Sequence, residues 1–248
     1  MTRLAMMTYE DVAVLVQRTA VAIVPVGSVE PHGPHLPLET DTMISVACAE
    51  RAVAALASEG IHAVVAPSVP YGVTEYARDF AGAVGVPAEA LTAFLRSVAG
   101  SLLATGFAHV CFVNNHLEPA HDAAVRAAIA ELPDGAASVA CPLTRRWGRT
   151  LSDEFKRGDC HAGRYETSLV LAAGGAVEDA SALPTIGLSL SDGIKAGKTS
   201  FAAIGMTRAY TGAPSEATAS EGQDLYTKLV TMVVTEIREG LARRGRPA

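Results

Sequence analysis

Residues 30–41 read EPHGPHLPLETD and bring Glu30, His32 and Asp41 into one proline-stiffened turn. Glu30 and His32 are two apart, so on an extended turn they point the same way, and Asp41 returns from the start of the next element. An oxygen, a nitrogen and an oxygen suit Zn²⁺ or Mn²⁺ better than Ca²⁺. Asn115-His116-Leu117-Glu118 offers a second pair of donors two residues apart. Three carboxylates (Glu30, Asp41, Glu118) and two imidazoles (His32, His116) suffice for two ions that share a bridging aspartate. Such a pair of ions activates a water and polarises a carbonyl in one place. Any one of these residues alone after a strand would more often be a cap or a surface group. The recurrence of the spacing at two strand ends is what favours ligation.

A third cluster, His161-Ala162-Gly163-Arg164-Tyr165-Glu166, sets a histidine five residues before a glutamate. Histidine is the side chain suited to moving a proton near neutral pH, although a loop histidine beside a capping glutamate gives the same pattern. Other chemistries find less support. Gly27-Ser28-Val29-Glu30 lacks the second glycine of a nucleophile elbow, and no phosphate-cradling glycine loop follows a strand. Cys160 beside His161 reads as filler, and His35, His62, His109 and His121 read as surface groups or as groups lying behind the ligands.

These clusters need elements to hold them. Residues 21–26, VAIVPV, form a near-continuous apolar run, as expected of a strand buried on both faces. A helix is expected over about 40–58, a strand at 61–66, a helix from Pro87 to Thr105 and a strand at 109–113. A helix from about Pro119 to Leu132 and a strand at 136–141 follow, then a basic loop over 144–159 with a short helix. The second half of HAGRYETSLVLAA reads as helix, 174–213 as mostly irregular, and 214–242 as a last helix. The twenty-residue stretch after the second strand is long enough to imply a function. Alternating strands and helices predict an α/β fold, a three-layer α/β/α domain over residues 1–248 with a mainly parallel central sheet. Ligand sites in such sheets lie beyond the carboxyl ends of the strands, where the first two clusters fall.

The whole chain sets limits on role. Its 248 residues carry a net charge of −6, which argues against a nucleic-acid or membrane-surface partner. Cys48, Cys111, Cys141 and Cys160 form no CxxC and are widely spaced, so a reduced, cytoplasmic chain without disulfides is expected. The N-terminus lacks the apolar stretch of a signal peptide, no run reaches 18 apolar residues, and the basic RRGRPA end reads as a frayed tail.

VPVGSVEPHGPHLPLETDT resembles the signature of the creatininase family, approximately P-x-G-S-x-E-Q-H-G-P-H-L-P-L-x-T-D, with Pro31 where glutamine is usual. Tyr71-Gly72, Thr74-Glu75 and Phe80-Ala81-Gly82 are similar to its Y-G-x-S…F-x-G loop. Asn115-His116-Leu117-Glu118 resembles its N-G-H segment, and residues 161–168 its H-A-G-x-x-E-T-S segment. The resemblance implies a creatininase-like hydrolase with two divalent metal ions per chain, Zn and/or Mn, commonly assembled as a homohexamer. Glu30, Asp41 and His116 would hold one ion, and His32, Asp41 and Glu118 the other. His161 would move the proton, with Glu166 behind the ligands or positioning the water.

Thr74, Leu117 and Arg157 are the residues expected on the substrate side. Leu117 stands where creatininase itself has a substrate-contacting tyrosine, and 156–159 lack its Trp-Asp pair. A cavity without aromatic walls is therefore expected, and creatinine is not the favoured substrate. Arg157 or Arg164 would face an anionic group or stand solvated in a loop. The family's reactions include lactam opening in creatinine, deformylation of a ribosylaminopyrimidine phosphate and removal of a dipeptide from a mycofactocin precursor. Their common denominator is a metal-dependent amidohydrolase that cleaves a carbonyl–nitrogen bond of a small molecule. A peptidase of a modified peptide and a binding protein on an inactive scaffold are the alternatives.

Overall fold

The computed structural model describes residues 3–245. Among these, strands β1 (Val21–Val26), β2 (Ala63–Val65), β3 (His109–Asn114) and β4 (Ala137–Ala140) form one parallel sheet in the order β2-β1-β3-β4. Two strands are shorter than expected, since residues 61–62 and 66 lie outside β2, and 136 and 141 outside β4.

β1 and β3 are buried along their whole length. Their side chains alternate between two cores: Val21, Ile23, Cys111 and Val113 on one face, Ala22, Val24, Val110 and Phe112 on the other. That is the period-two division expected of a strand covered on both sides. The first face is covered by α2 (Thr40–Ser58), α7 (Arg164–Ala172) and α10 (Ala219–Arg243), the second by α3 (Ala88–Thr105) and α4 (Pro119–Ile129). The three-layer α/β/α architecture is thus realised.

α1 (Tyr9–Val16), which the sequence reading did not assign, carries a capping box in which Thr8 and Asp11 satisfy each other's backbone N–H. Its Val12 and Leu15 pack on the second core. Residues 144–159 hold two short helices rather than one, α5 (Arg145–Gly148) and α6 (Asp153–Arg157). The 174–213 stretch contains α8 (Leu190–Lys195) and α9 (Phe201–Ile204). The basic end is anchored as far as Arg244: Arg243 faces Asp134 at 3.3 Å, and Arg244 donates to the Ala108 carbonyl. The final 246–248 of that tail fall outside the described residues.

The connection from β2 to β3 passes β1, so the direction of winding reverses between β1 and β3. Val26 is in register with Asn114 at the carboxyl ends of this central pair. The segments beyond them, 28–41 and 115–118, therefore meet over the switch point, where α/β sheets place their ligands.

His109 sits at the opposite end of β3 and is a structural group rather than a surface one. Its Nδ1 donates to the Gly135 carbonyl and its Nε2 accepts from Ser138. Burial, with Arg243 and Arg244 nearby, lowers its pKa from 6.5 to about 4 despite the Gly135 hydrogen bond. The unfolded chain then binds the extra proton between those values. The resulting stability is complete above about pH 6.5 and is lost as pH falls toward 4, a contribution of about 3 kcal/mol. Urea unfolding of His109→Gln should accordingly lose less stability between pH 7.5 and 4.5 than the parent. Parallel pH curves for the two proteins would remove this role.

Candidate metal centre

β1 runs into Gly27, and α2 starts against it. A Cβ at Gly27 would lie 2.5 Å from Thr42 Oγ1 and 2.6 Å from Thr42 N, so only glycine lets the first turn of α2 approach β1 this closely. That approach buries Asp41 beside Glu30 and His32. His116 arrives from the end of β3, and Glu166 from the first turn of α7.

The donor atoms converge. His32 Nε2 is 3.2 Å from Asp41 Oδ1 and 3.5 Å from Glu166 Oε2. His116 Nδ1 is 2.9 Å from Asp41 Oδ2 and 3.2 Å from Glu30 Oε1. Glu30, Asp41 and His116 form one group able to hold a metal ion, His32, Asp41 and Glu166 another, and Glu30, His32 and His161 a third. His161 Nδ1 lies at the edge, 3.9 Å from Glu30 Oε1.

Each imidazole is aimed by its other nitrogen. A backbone carbonyl can only accept, so His32 Nδ1 donates to Glu30 O, His116 Nε2 to Val73 O, and His161 Nε2 to Pro31 O. Toward a bound ion the remaining nitrogens would present lone pairs, the arrangement typical of metal-binding histidines. Thr74 donates its hydroxyl to Glu30, and the Ala162 N–H donates to Glu166 at 2.6 Å.

The donor set fits divalent cations on two observations. His32 Nε2, His116 Nδ1 and Asp41 Oδ2 are buried, make no aligned hydrogen bond and face only the other donors of the cluster, a costly state that ligation relieves. Three carboxylates are also gathered out of water, which calls for positive charge. In the chain alone that charge resides on histidine. Burial pushes His32 and His116 down, yet the facing carboxylates outweigh it, raising His32 to about 10 and His116 well above its usual value. Glu166 is pushed up, chiefly by burial. His161 is driven the other way, to about 4, by burial and by the neighbouring His32.

The structure redistributes several residues. Glu118 does not stand with His32 and Asp41; Glu166 does. Glu118 directly precedes α4, and its carboxylate accepts from the backbone N–H groups of Glu75 and Tyr76 at 3.1 and 3.3 Å while facing the cavity. Thr74 supports Glu30 from behind and is absent from the cavity lining. Arg157 turns away to Asp159, 3.3 Å distant, and Arg164 to Glu216 and Glu221. Leu117 does line the cavity.

That space is about 40 Å³ and has aromatic walls after all. Tyr76 and Phe201 line it, and the Phe201 ring lies 4.5 Å from that of His161. Both come from segments outside the Trp-Asp comparison. His35 and His121 are buried against the centre: His35 is hydrogen-bonded to Thr167, and His121 stands edge-on to His116. Glu154, which the sequence did not single out, accepts from the N–H groups of Arg164, Tyr165 and Ala213 and so fixes the turn that presents His161 and Glu166. All four cysteines are buried and unpaired.

The carboxylate–imidazole cluster thus lies at the switch point of a parallel α/β sheet, as a group of side chains able to hold metal ions. Residues 5–237 match the family described as creatininase, creatinine amidohydrolase. The mycofactocin precursor peptide peptidase of Mycobacterium tuberculosis is 31% identical over 229 residues, covering 87% of this chain and 83% of that protein. In fold, a structure titled creatininase Mn superposes with a TM-score of 0.71 at 18% identity, covering 96% of this chain and 98% of the other. A glutamate-to-glutamine mutant creatininase of Zn-Zn type gives 0.69 at 17% identity, covering 95% and 96%. The chain belongs to the creatininase family of hydrolases that act on carbon–nitrogen bonds.

Proposed function

We propose that this chain hydrolyses the carbonyl–nitrogen bond of a small-molecule amide or lactam at a centre of two divalent ions, zinc or manganese. The observation that carries the reading is the division of Asp41: Oδ1 faces His32 and Oδ2 faces His116, so one carboxylate serves two donor sets. Glu30, Asp41 and His116 would hold one ion, and His32, Asp41 and Glu166 the other. Bound there, the ions would lower the pKa of a water and polarise a carbonyl.

The chain's own groups do the rest. His161 is neutral at physiological pH because burial disfavours its cation, and its Nδ1 faces the cluster. It accepts the proton of the attacking water and returns it to the leaving nitrogen. Glu118, held at the wall by the Glu75 and Tyr76 amides, orients the water. Leu117, Tyr76 and Phe201 exclude bulk solvent from the reacting bond.

The peptidase reading draws on one specific observation, the name carried by the 31%-identical relative. A panel of lactams, N-acyl amides and short peptides separates the two. Turnover of small amides, abolished by chelator and restored by Zn²⁺ or Mn²⁺, is expected. Cleavage confined to peptides would transfer the assignment to the peptidase, and chelator-resistant turnover would remove the metal mechanism. A homohexamer is consistent with the exposed apolar side chains Met6, Tyr9, Tyr71 and Phe94. A cytoplasmic location suits four unpaired cysteines. No helix among the described residues is long and apolar enough to cross a membrane.

A further inference from the structure

A second, larger space adjoins the metal cavity. A groove of about 480 Å³ shares Leu117, Pro119, Cys160, Leu190 and Ile194 with it and continues past Leu143 and Phe155. The inner cavity, at about 40 Å³, has room for the reacting centre alone. The adjoining groove is the space next to it large enough for the body of a substrate, and its size is that of a small-molecule site.

The groove is apolar along its shared wall and cationic beyond it. Arg145, Arg149, Lys156 and Lys195 line it, and no acidic side chain does. Lys156 is paired with Asp153 at 2.6 Å and Lys195 with Asp192 at 3.1 Å. Arg145 and Arg149 have no carboxylate within 4 Å among the described residues. They are four apart around the turn of α5, whereas Arg146 and Trp147, between them, turn to Glu239 and Glu236 on α10. What sets Arg145 and Arg149 apart is that both line the same groove. The guanidinium fork matches a carboxylate in shape and charge.

We propose that Arg145 and Arg149 bind a free carboxylate on the substrate, and that the substrate is an N-acyl amino acid whose apolar side chain lies along Leu143 and Phe155. This rests on the amidohydrolase reading and specifies its substrate class. Water adds its hydroxyl to the acyl carbon and a proton to the nitrogen as the C–N bond breaks, releasing a carboxylic acid and an amino acid.

The first test uses probes that cannot be hydrolysed. Calorimetry on the metal-loaded protein compares 4-phenylbutanoate with 4-phenylbutan-1-ol. The carboxylate should bind about tenfold more tightly, the scale of one charge-assisted contact. Arg145→Ala/Arg149→Ala should erase that preference without lowering the melting temperature or the affinity for the alcohol. Undiminished carboxylate binding in the double variant would place the anion on the metals and overturn the subsite. The second test compares kcat/KM for N-acetyl-leucine and N-acetyl-leucinamide, with the preference for the acid expected in KM. Equal turnover of both, indifferent to the arginines, overturns the subsite and leaves the hydrolase. Arginine-dependent probe binding with no turnover of any amide keeps the subsite and overturns the hydrolase reading. A tenfold preference for an acetylated tetrapeptide ending in leucine overturns the small-molecule assignment.

Discussion

If the proposed centre holds two ions, replacing Asp41 by alanine should strip the protein of both, whereas replacing Glu118 by glutamine should remove neither. Asp41 turns one oxygen to each imidazole and is buried between them, so its loss opens both donor sets at once. Glu166→Gln should lose one ion, because its carboxylate stands with His32 and Asp41. Metal content per chain, measured on protein purified without chelator, gives the result directly. Turnover should fall by about 10³-fold or more in Asp41→Ala. In Glu118→Gln it should fall by roughly 10²-fold with metal retained, the scale of a lost acid–base or water-orienting group. Metal loss in Glu118→Gln with full occupancy in Glu166→Gln would reverse the two glutamates' roles.

The second large effect comes from a residue with no side chain. Gly27→Ala is expected to reduce metal affinity about 10- to 100-fold, the range seen when the support of a ligand is disturbed. The added methyl would meet the backbone of Thr42 and force the first turn of α2, with Asp41, away from β1. Overpacking of this kind also costs about 1–3 kcal/mol of stability. Gly100→Ala, in the middle of α3 with nothing within 4 Å of its Cβ, is the control and should be neutral or stabilising by roughly 1 kcal/mol. Metal titration and thermal melts of the pair decide the matter; equal affinities would show that α2 tolerates the displacement.

The sheet and its covering helices were legible because their signals are local. A doubly buried strand is apolar throughout, and proline and glycine mark the ends of α3 and the start of α4. The turn carrying Glu30 and His32 was legible for the same reason. The partition of the three glutamates was not. Glu118 and Glu166 are both acids near a histidine in sequence. What separates them is tertiary: the Glu75 and Tyr76 amides claim Glu118, while α7 docks Glu166 against His32. The aromatic walls escaped notice because Tyr76 and Phe201 are 125 residues apart and meet only when α9 folds back, with Phe201 N donating to Tyr76 O. α1 went unassigned although Thr8-x-x-Asp11 is a local capping signal that could have marked it.

The roof over the cavity has a cohesion of its own. Phe201 and Met206 pack with Ala77, against Tyr76, Phe80 and Leu190, in a small cluster separate from the two cores that flank the sheet. Substitutions or altered lengths in 190–206 therefore cost little of the energy that holds the sheet and the ligand-bearing turns. A lineage can exchange this covering piece while inheriting the catalytic floor intact. New specificities on this scaffold should arise there first, by drift in a part whose failure leaves the rest of the molecule standing.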